Sequence, residues 1–313
     1  MTHILRILGT LSLLGLLAAS LGLANAAQIQ LNSGAPFLCV TVEGGNTAPG
    51  TPVIAYSCSG GPEDQWQFIN GQFQGIGTAN GVSTCLDVQG GVVAAGALVV
   101  LNTCDGAASQ QWAAGLEATS VPPVFYTGIV SGISIGINVA CLDSSGGPSV
   151  GGGTQLVTNV CGNIKTQSWI MRGAQLQVSS GPPYLYATVQ GNKTASGTPV
   201  ISSACNGGPG QLWDFENAVV RGIGTENGEH ECLSISGSSD NVTLSTCNKN
   251  LQYQVFNANG CAEDGLCGGG PQVGIIDFEN VACLDSSGGP GTQLVANENC
   301  YKMGVPPQAW NIR

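Results

Sequence analysis

The sequence predicts an all-β protein made of six similar units in two tandem halves. Three observations carry this prediction. First, all five tryptophans close the same three-residue word: Asp64-Gln65-Trp66, Gln110-Gln111-Trp112, Gln167-Ser168-Trp169, Gln211-Leu212-Trp213 and Gln308-Ala309-Trp310. A sixth copy, Gln254-Val255-Phe256, keeps a ring in the same place. Recurrence at roughly 40–60 residues marks a repeat architecture. Second, the halves match segment by segment. Pro36–Val42 resembles Pro183–Val189, Gly50–Ile54 recurs as Gly197–Ile201, and Cys141–Pro148 recurs unchanged as Cys283–Pro290. Third, downstream of residue 26 there is no helical amphipathic run, while short β-branched segments alternate with glycine-rich turns.

The chain begins like a secretory leader. His3 and Arg6 precede an apolar stretch from Ile7 to Leu23, and Ala24-Asn25-Ala26 supplies the small-x-small exit before Ala27. The same stretch would also serve as an uncleaved anchor, but the small-residue exit favours removal. Residues 1–26 are therefore expected to be a signal peptide, and the protein to be secreted. No later segment has the uncharged apolar length of a membrane span, so no membrane insertion is expected.

The first half is expected over residues 27–172 and the second over 173–313. Within each half three units follow one another. A unit reads as a short β-branched strand, a Cys-Leu-Asp word, a glycine-rich turn, an aliphatic strand, a second cysteine and the Gln-x-Trp word. Ala97–Leu101 and Thr154–Thr158 are strand-like, whereas Ser144–Pro148 and Ser59–Pro62 have turn composition. The linker at Arg172-Gly173 is too short to let the halves tumble freely, so a fixed relative pose is expected.

Charge narrows the function classes. The formal net charge is −11 with only 9% charged residues, which repels phosphate backbones and excludes nucleic acid as a partner. Anionic lipid meets no basic face. Apart from His3, His230 is the only histidine, which leaves little room for Ser-His or Cys-His chemistry, and the carboxylates fall in repeat positions or turns. The sequence is read as a non-enzyme, and no cofactor is expected. The cysteines are not spaced as Cys-x₂-Cys pairs, so no metal site is expected either.

Threefold units with Cys-Leu-Asp, a paired downstream cysteine and Gln-x-Trp resemble the ricin B-chain type lectins, and the resemblance covers nearly all of Gln28 to Arg313. It implies two tandem β-trefoil domains, each with three four-stranded units around a pseudo-threefold axis. It also implies that the tryptophans are core residues. Burying roughly 150–250 Å² of ring contributes on the order of 4–6 kcal/mol each.

The repeat suggests the disulfides, each within one unit: Cys39–Cys58, Cys85–Cys104, Cys141–Cys161, Cys232–Cys247 and Cys283–Cys300, with Cys261–Cys267 as a separate close pair. Loops of roughly 15–20 residues closed this way are worth about 3 kcal/mol each in the chain-entropy picture. Cys205 is left over, because Tyr186 stands where its partner would be. It is expected as a buried free thiol, with an intermolecular bridge or reshuffled pairing as alternatives.

In the resembling lectins the aspartate of Cys-Leu-Asp accepts hydrogen bonds from two sugar hydroxyls, which suits a carboxylate's two acceptor oxygens. Asp87, Asp143 and Asp285 hold that position here. The other three units carry Thr41, Thr188 and Ser234, and are expected to be silent. The family also places an aromatic platform two residues before the second cysteine. The aspartate-bearing units depart from this and carry Asn102, Asn159 and, with one inserted residue, Asn297. Tyr56 occupies a platform position in a unit without the aspartate. A ring could instead come from Phe125 and Tyr126, in a loop before the Asp143 unit, or from Phe278. Gln110, Gln167 and Gln308 would orient the aspartates or bind backbone.

Each aspartate also has a plainer reading as a cap on local turn amides. Two functions therefore stay open. One is a secreted carbohydrate-binding protein whose two to three weak, galactose-related sites engage glycans multivalently. The other is a β-trefoil scaffold that binds protein, or nothing, instead of sugar. Asn192-Lys193-Thr194 and Asn241-Val242-Thr243 fit the glycosylation motif.

Overall fold

The computed structural model describes residues 26–32, 37–69, 71–75, 83–92, 94–118, 125–135, 138–144, 153–162, 164–178, 184–216, 219–222, 231–235, 241–248, 256–259, 274–277, 282–286, 289–297 and 310–312. The leader, Cys261, Cys267, Cys300, Gln308, His230 and Phe278 lie outside the described residues.

Twenty-five strands, all paired antiparallel, make up the described chain, together with short 3-10 turns. They group into two tandem β-trefoils. Each unit contributes four principal strands; in the first unit these are Ala27–Leu31, Leu38–Val42, Thr51–Ser57 and Gln65–Ile69. The second and third strands of a unit form a hairpin, as in the register Cys39↔Tyr56 or Cys85↔Asn102. The fourth strand pairs with the first strand of the next unit, as in Trp66↔Gly75.

Two ring closures give the threefold body. The strands of residues 27–31 and 169–174 pair at Gln28↔Arg172 through Leu31↔Trp169, and the second half closes likewise at Val178↔Trp310. At the cap, the third strands of the three units meet pairwise: Thr51↔Leu101, Leu98↔Val157 and Ala55↔Thr154. In the second half the bridges Pro199↔Thr243, Ile201↔Gln293 and Asn241↔Val295 do the same.

The core follows from the repeat. All five indoles are buried. Each Nε1–H donates to a backbone carbonyl of its own unit's second strand: Val40 (2.8 Å), Leu86 (2.9 Å), Leu142 (2.9 Å), Ala187 (3.1 Å) and Leu284 (2.9 Å). The ring thus fills the centre while its one polar group is satisfied. Leu86, Leu142, Leu233 and Leu284, from the Cys-Leu words, lie in the same core.

The halves are not separate beads. Met171 pairs with Phe215 of the second half, Ile312 pairs with Phe68 of the first, and Ala114 pairs with Ala258, its repeat counterpart. Among the described residues, backbone pairing therefore crosses between the trefoils at three places.

Four expected disulfides are formed: Cys39–Cys58, Cys85–Cys104, Cys141–Cys161 and Cys232–Cys247. Two expectations need correction. Cys205 is free but exposed rather than buried, since it follows the strand Val200–Ala204 at its outer end. Tyr186, in the partner's place, is buried, and its hydroxyl accepts from Gln177 (2.7 Å). Phe125 and Tyr126 begin the strand Phe125–Ile135 instead of lying in a loop, because that strand pairs with Trp112–Ala118 over its first seven residues.

Candidate functional site

Asp87 sits near the end of the strand Thr84–Val88, on the hairpin face it shares with Asn102. The short turn Ala108–Gln110 delivers Gln110 to the same place just before Trp112 is buried. Asp87 Oδ2 accepts from Asn102 Nδ2 (3.0 Å) and Gln110 Nε2 (3.2 Å). Gln110 also donates to the Thr103 carbonyl (2.7 Å), and its Oε1 accepts from the Asp105 amide (2.9 Å). The glutamine is thus both orienter and backbone ligand.

The third unit repeats this. Asp143 Oδ2 accepts from Asn159 Nδ2 (3.1 Å) and Gln167 Nε2 (3.0 Å). Gln167 donates to Val160 O (3.0 Å) and accepts from the Gly162 amide (2.8 Å). In the sixth unit Asn297 Nδ2 donates to Asp285 Oδ2 (2.8 Å). The structure therefore joins each sequence-identified aspartate to the asparagine at its platform position.

All three aspartates are buried, and Asp87 is 5% exposed. The asparagines are half-buried and form the outer side of each group. Asp87 Oδ1 is enclosed and has no hydrogen-bond partner. An acceptor left in that state costs about 1–3 kcal/mol, more when charged, so it favours any donor that can reach it.

The units without this aspartate use other pairs. In the fourth, Gln211 Nε2 donates to Thr188 Oγ1 (3.0 Å) and Ser203 Oγ (3.3 Å), and the two hydroxyls are 2.9 Å apart. In the first, the roles are exchanged, a feature that reading the words one at a time missed. Asp64 stands where other units have glutamine, and Thr41 Oγ1 donates to its Oδ1 (2.7 Å). Asp64 Oδ2 accepts from Ser59 N, Ser59 Oγ (2.8 Å) and Gly60 N (3.1 Å). Beside it, the same Ser59 hydroxyl, whose one proton is shared between Asp64 and Glu63, holds the Glu63 carboxyl below the usual carboxylate range. Tyr56 lies on the same hairpin face and is 47% exposed. No group of three or more metal-ligating side chains occurs among the described residues.

The profile of the Ricin-type beta-trefoil lectin domain matches residues 21–113 and 135–259. No curated protein sequence matches the chain. Among solved structures, the chain is similar to hemolytic lectin CEL-III (19% identity, 92% of this chain and 63% of that one, TM-score 0.35). A non-toxic homologue of type II ribosome-inactivating proteins (RIPs) from Momordica charantia, bitter gourd, solved with α-methyl-D-galactoside, shares 18% identity over 92% of this chain and 96% of that one (TM-score 0.36). The C-half of an earthworm R-type lectin, solved with GalNAc, shares 18% identity over 45% of this chain and 98% of that one (TM-score 0.34). The chain spans 63% of CEL-III and 34% of a mosquitocidal holotoxin that it also matches. The family profile covers most of the sequence, and the threefold hairpins, buried indoles and repeated cystines supply its architecture: the chain belongs to the ricin-type β-trefoil lectin family.

Proposed function

We propose that this protein is a secreted, non-catalytic carbohydrate binder that acts through two to three weak sites at Asp87, Asp143 and Asp285. The observation that carries the reading is the enclosed, unpartnered Oδ1 of Asp87, held beside an aspartate oxygen already fixed by Asn102 and Gln110. A sugar hydroxyl is a donor of the right kind for that oxygen, which has no solvent-exposed surface and is reached only when the half-buried Asn102 amide moves aside. Galactose-type sugars are the class proposed, on family membership alone. With asparagine instead of a ring at the platform positions 102, 159 and 297 each site is weak, so useful affinity comes from several sites meeting one glycan surface. The leader-like start and the cystines support export, and the domain division after residue 172 belongs to the same proposal.

A second reading has its own support. Asn102, Asn159 and Asn297 already donate to the carboxylates, so the three groups also serve as internal latches of a scaffold that binds no sugar. Passage of the secreted protein over immobilised galactose and a glycan array separates the two. Retention that falls about tenfold in Asp87→Ala, and further in the triple variant with Asp143→Ala and Asp285→Ala, supports the sugar reading. Absence of retention on every glycan, with the protein folded, establishes the scaffold.

A further inference from the structure

The strand Trp169–Ala174 belongs to both trefoils. On one side it pairs with the first half's opening strand, from Gln28↔Arg172 to Leu31↔Trp169. On the other it pairs with the second half, at Ile170↔Glu216 and Met171↔Phe215. Its register then slips, and Ala174 pairs with Trp213. Arg172 and Gly173 form the slip, opposite Asp214. Gly173 takes φ +69° there, a conformation open to glycine and costly for other residues.

Asp214 spans this slip. Its Oδ1 accepts from the Gly173 amide (2.9 Å), and its Oδ2 accepts from Arg172 Nη1 (2.9 Å). Arg172 in turn donates through Nε to Gln30 Oε1 of the first half's opening strand. One carboxylate from the second trefoil thereby fixes the linker amide and, through a guanidinium, the first trefoil. The Asp214 side chain is 16% exposed, so its charge-assisted bonds are only partly screened. At the repeat-equivalent position the first half carries Gln67 rather than a carboxylate. The device is therefore specific to the side of the junction where the chain crosses.

We infer that Asp214 is a positioning residue that fixes the angle between the two trefoils and with it the spacing of their sugar sites; the second part rests on the proposed carbohydrate binding. Arg172 provides the reporter. Its side chain is 43% exposed, while its backbone is held between the strands of residues 27–31 and 213–216. The chain has only 8 lysines and arginines, so tryptic fragments are easily assigned.

The experiment uses the full secreted chain. Trypsin is expected to cut wild type slowly after Arg172 and Asp214→Ala about tenfold faster, with the buried tryptophan emission unchanged before cleavage. Binding of methyl α-galactoside is expected to be equal in the two proteins, while binding to a galactose-bearing polymer falls about tenfold in the variant. Asp214→Asn keeps an acceptor for Gly173 but loses the ion pair, and is expected between the two. It decides the question if the alanine variant does not fold. Equal cleavage rates in wild type and the folded variant overturn the clamp. Faster cleavage with unchanged polymer binding overturns the link to spacing. If neither sugar probe binds wild type, the carbohydrate reading fails, and the cleavage rate still decides the clamp.

Discussion

The first and second units of the chain build the same link with opposite chemistry. In the second, a carboxylate on the hairpin (Asp87) meets an amide from the turn (Gln110); in the first, a hydroxyl on the hairpin (Thr41) meets a carboxylate from the turn (Asp64). Asp64 is fully buried and accepts from Thr41, Ser59 and Gly60, filling both of its oxygens. Asp87 is held through Oδ2 alone, and Oδ1 has no partner. The contrast separates two demands on one position. Joining the turn to the hairpin needs one hydrogen bond, and several residue pairs supply it. Receiving a ligand needs an acceptor that the fold has not already filled.

That contrast can be broken most directly by deleting the two carboxylates in turn. Asp64→Ala removes the fully buried acceptor of the Thr41 hydroxyl and of the exposed Ser59-Gly60 turn, and is expected to cost about 3 kcal/mol in urea unfolding. Asp87→Ala, which frees two amides with other partners and removes an unpaired oxygen, is expected to cost about 1 kcal/mol. Equal losses would mean the two carboxylates are satisfied alike.

The cystines sharpen the comparison on the same hairpins. Removing Cys39–Cys58 as Cys39→Ala with Cys58→Ala is expected to cost about 3 kcal/mol. Cys205→Ser, at the equivalent hairpin of the second half, should change stability by less than about 0.5 kcal/mol. A thiol reagent should label Cys205 in the native protein and leave the four described cystines untouched; failure to label it would contradict its exposure.

The smallest expected effect concerns Glu63, next to Asp64. Its carboxyl is held below the usual range by Ser59, so it contributes stability at neutral pH that is lost as pH falls through its folded-state pKa, below 4.5. Glu63→Gln should therefore lower stability by a few tenths of a kcal/mol at pH 7 and leave it equal to wild type in acid. A difference that grows on acidification would reverse the sign of this linkage.

The fold was largely legible because each repeat restates it. One aromatic ring per unit at one position, an indole in five of the six, and a cysteine pair in all units but the fourth are constraints that a sequence displays directly. The pairing of Asp87 with Gln110 and of Asp143 with Gln167 was also foreseeable from the family pattern. The exchange at Thr41 and Asp64 was visible but needed both words to be read together: of the three units whose hairpin lacks the aspartate, the first alone has its Gln-x-Trp word opening with one. Exposure of Cys205 was not legible, since it depends on where the strand Val200–Ala204 ends. The Asp214 clamp left no signal either, because Arg172 and Asp214 come from different trefoils and meet only once the junction strand is paired.

The indole hydrogen bonds have a practical consequence for anyone following this protein by light. With all five rings enclosed and each nitrogen tied to a main-chain oxygen, intrinsic fluorescence should be blue, resistant to aqueous quenchers, and blind to a ligand arriving at Asp87 or Asp143. The same emission should redden sharply when a trefoil opens, so the signal reports folding and keeps silent about occupancy.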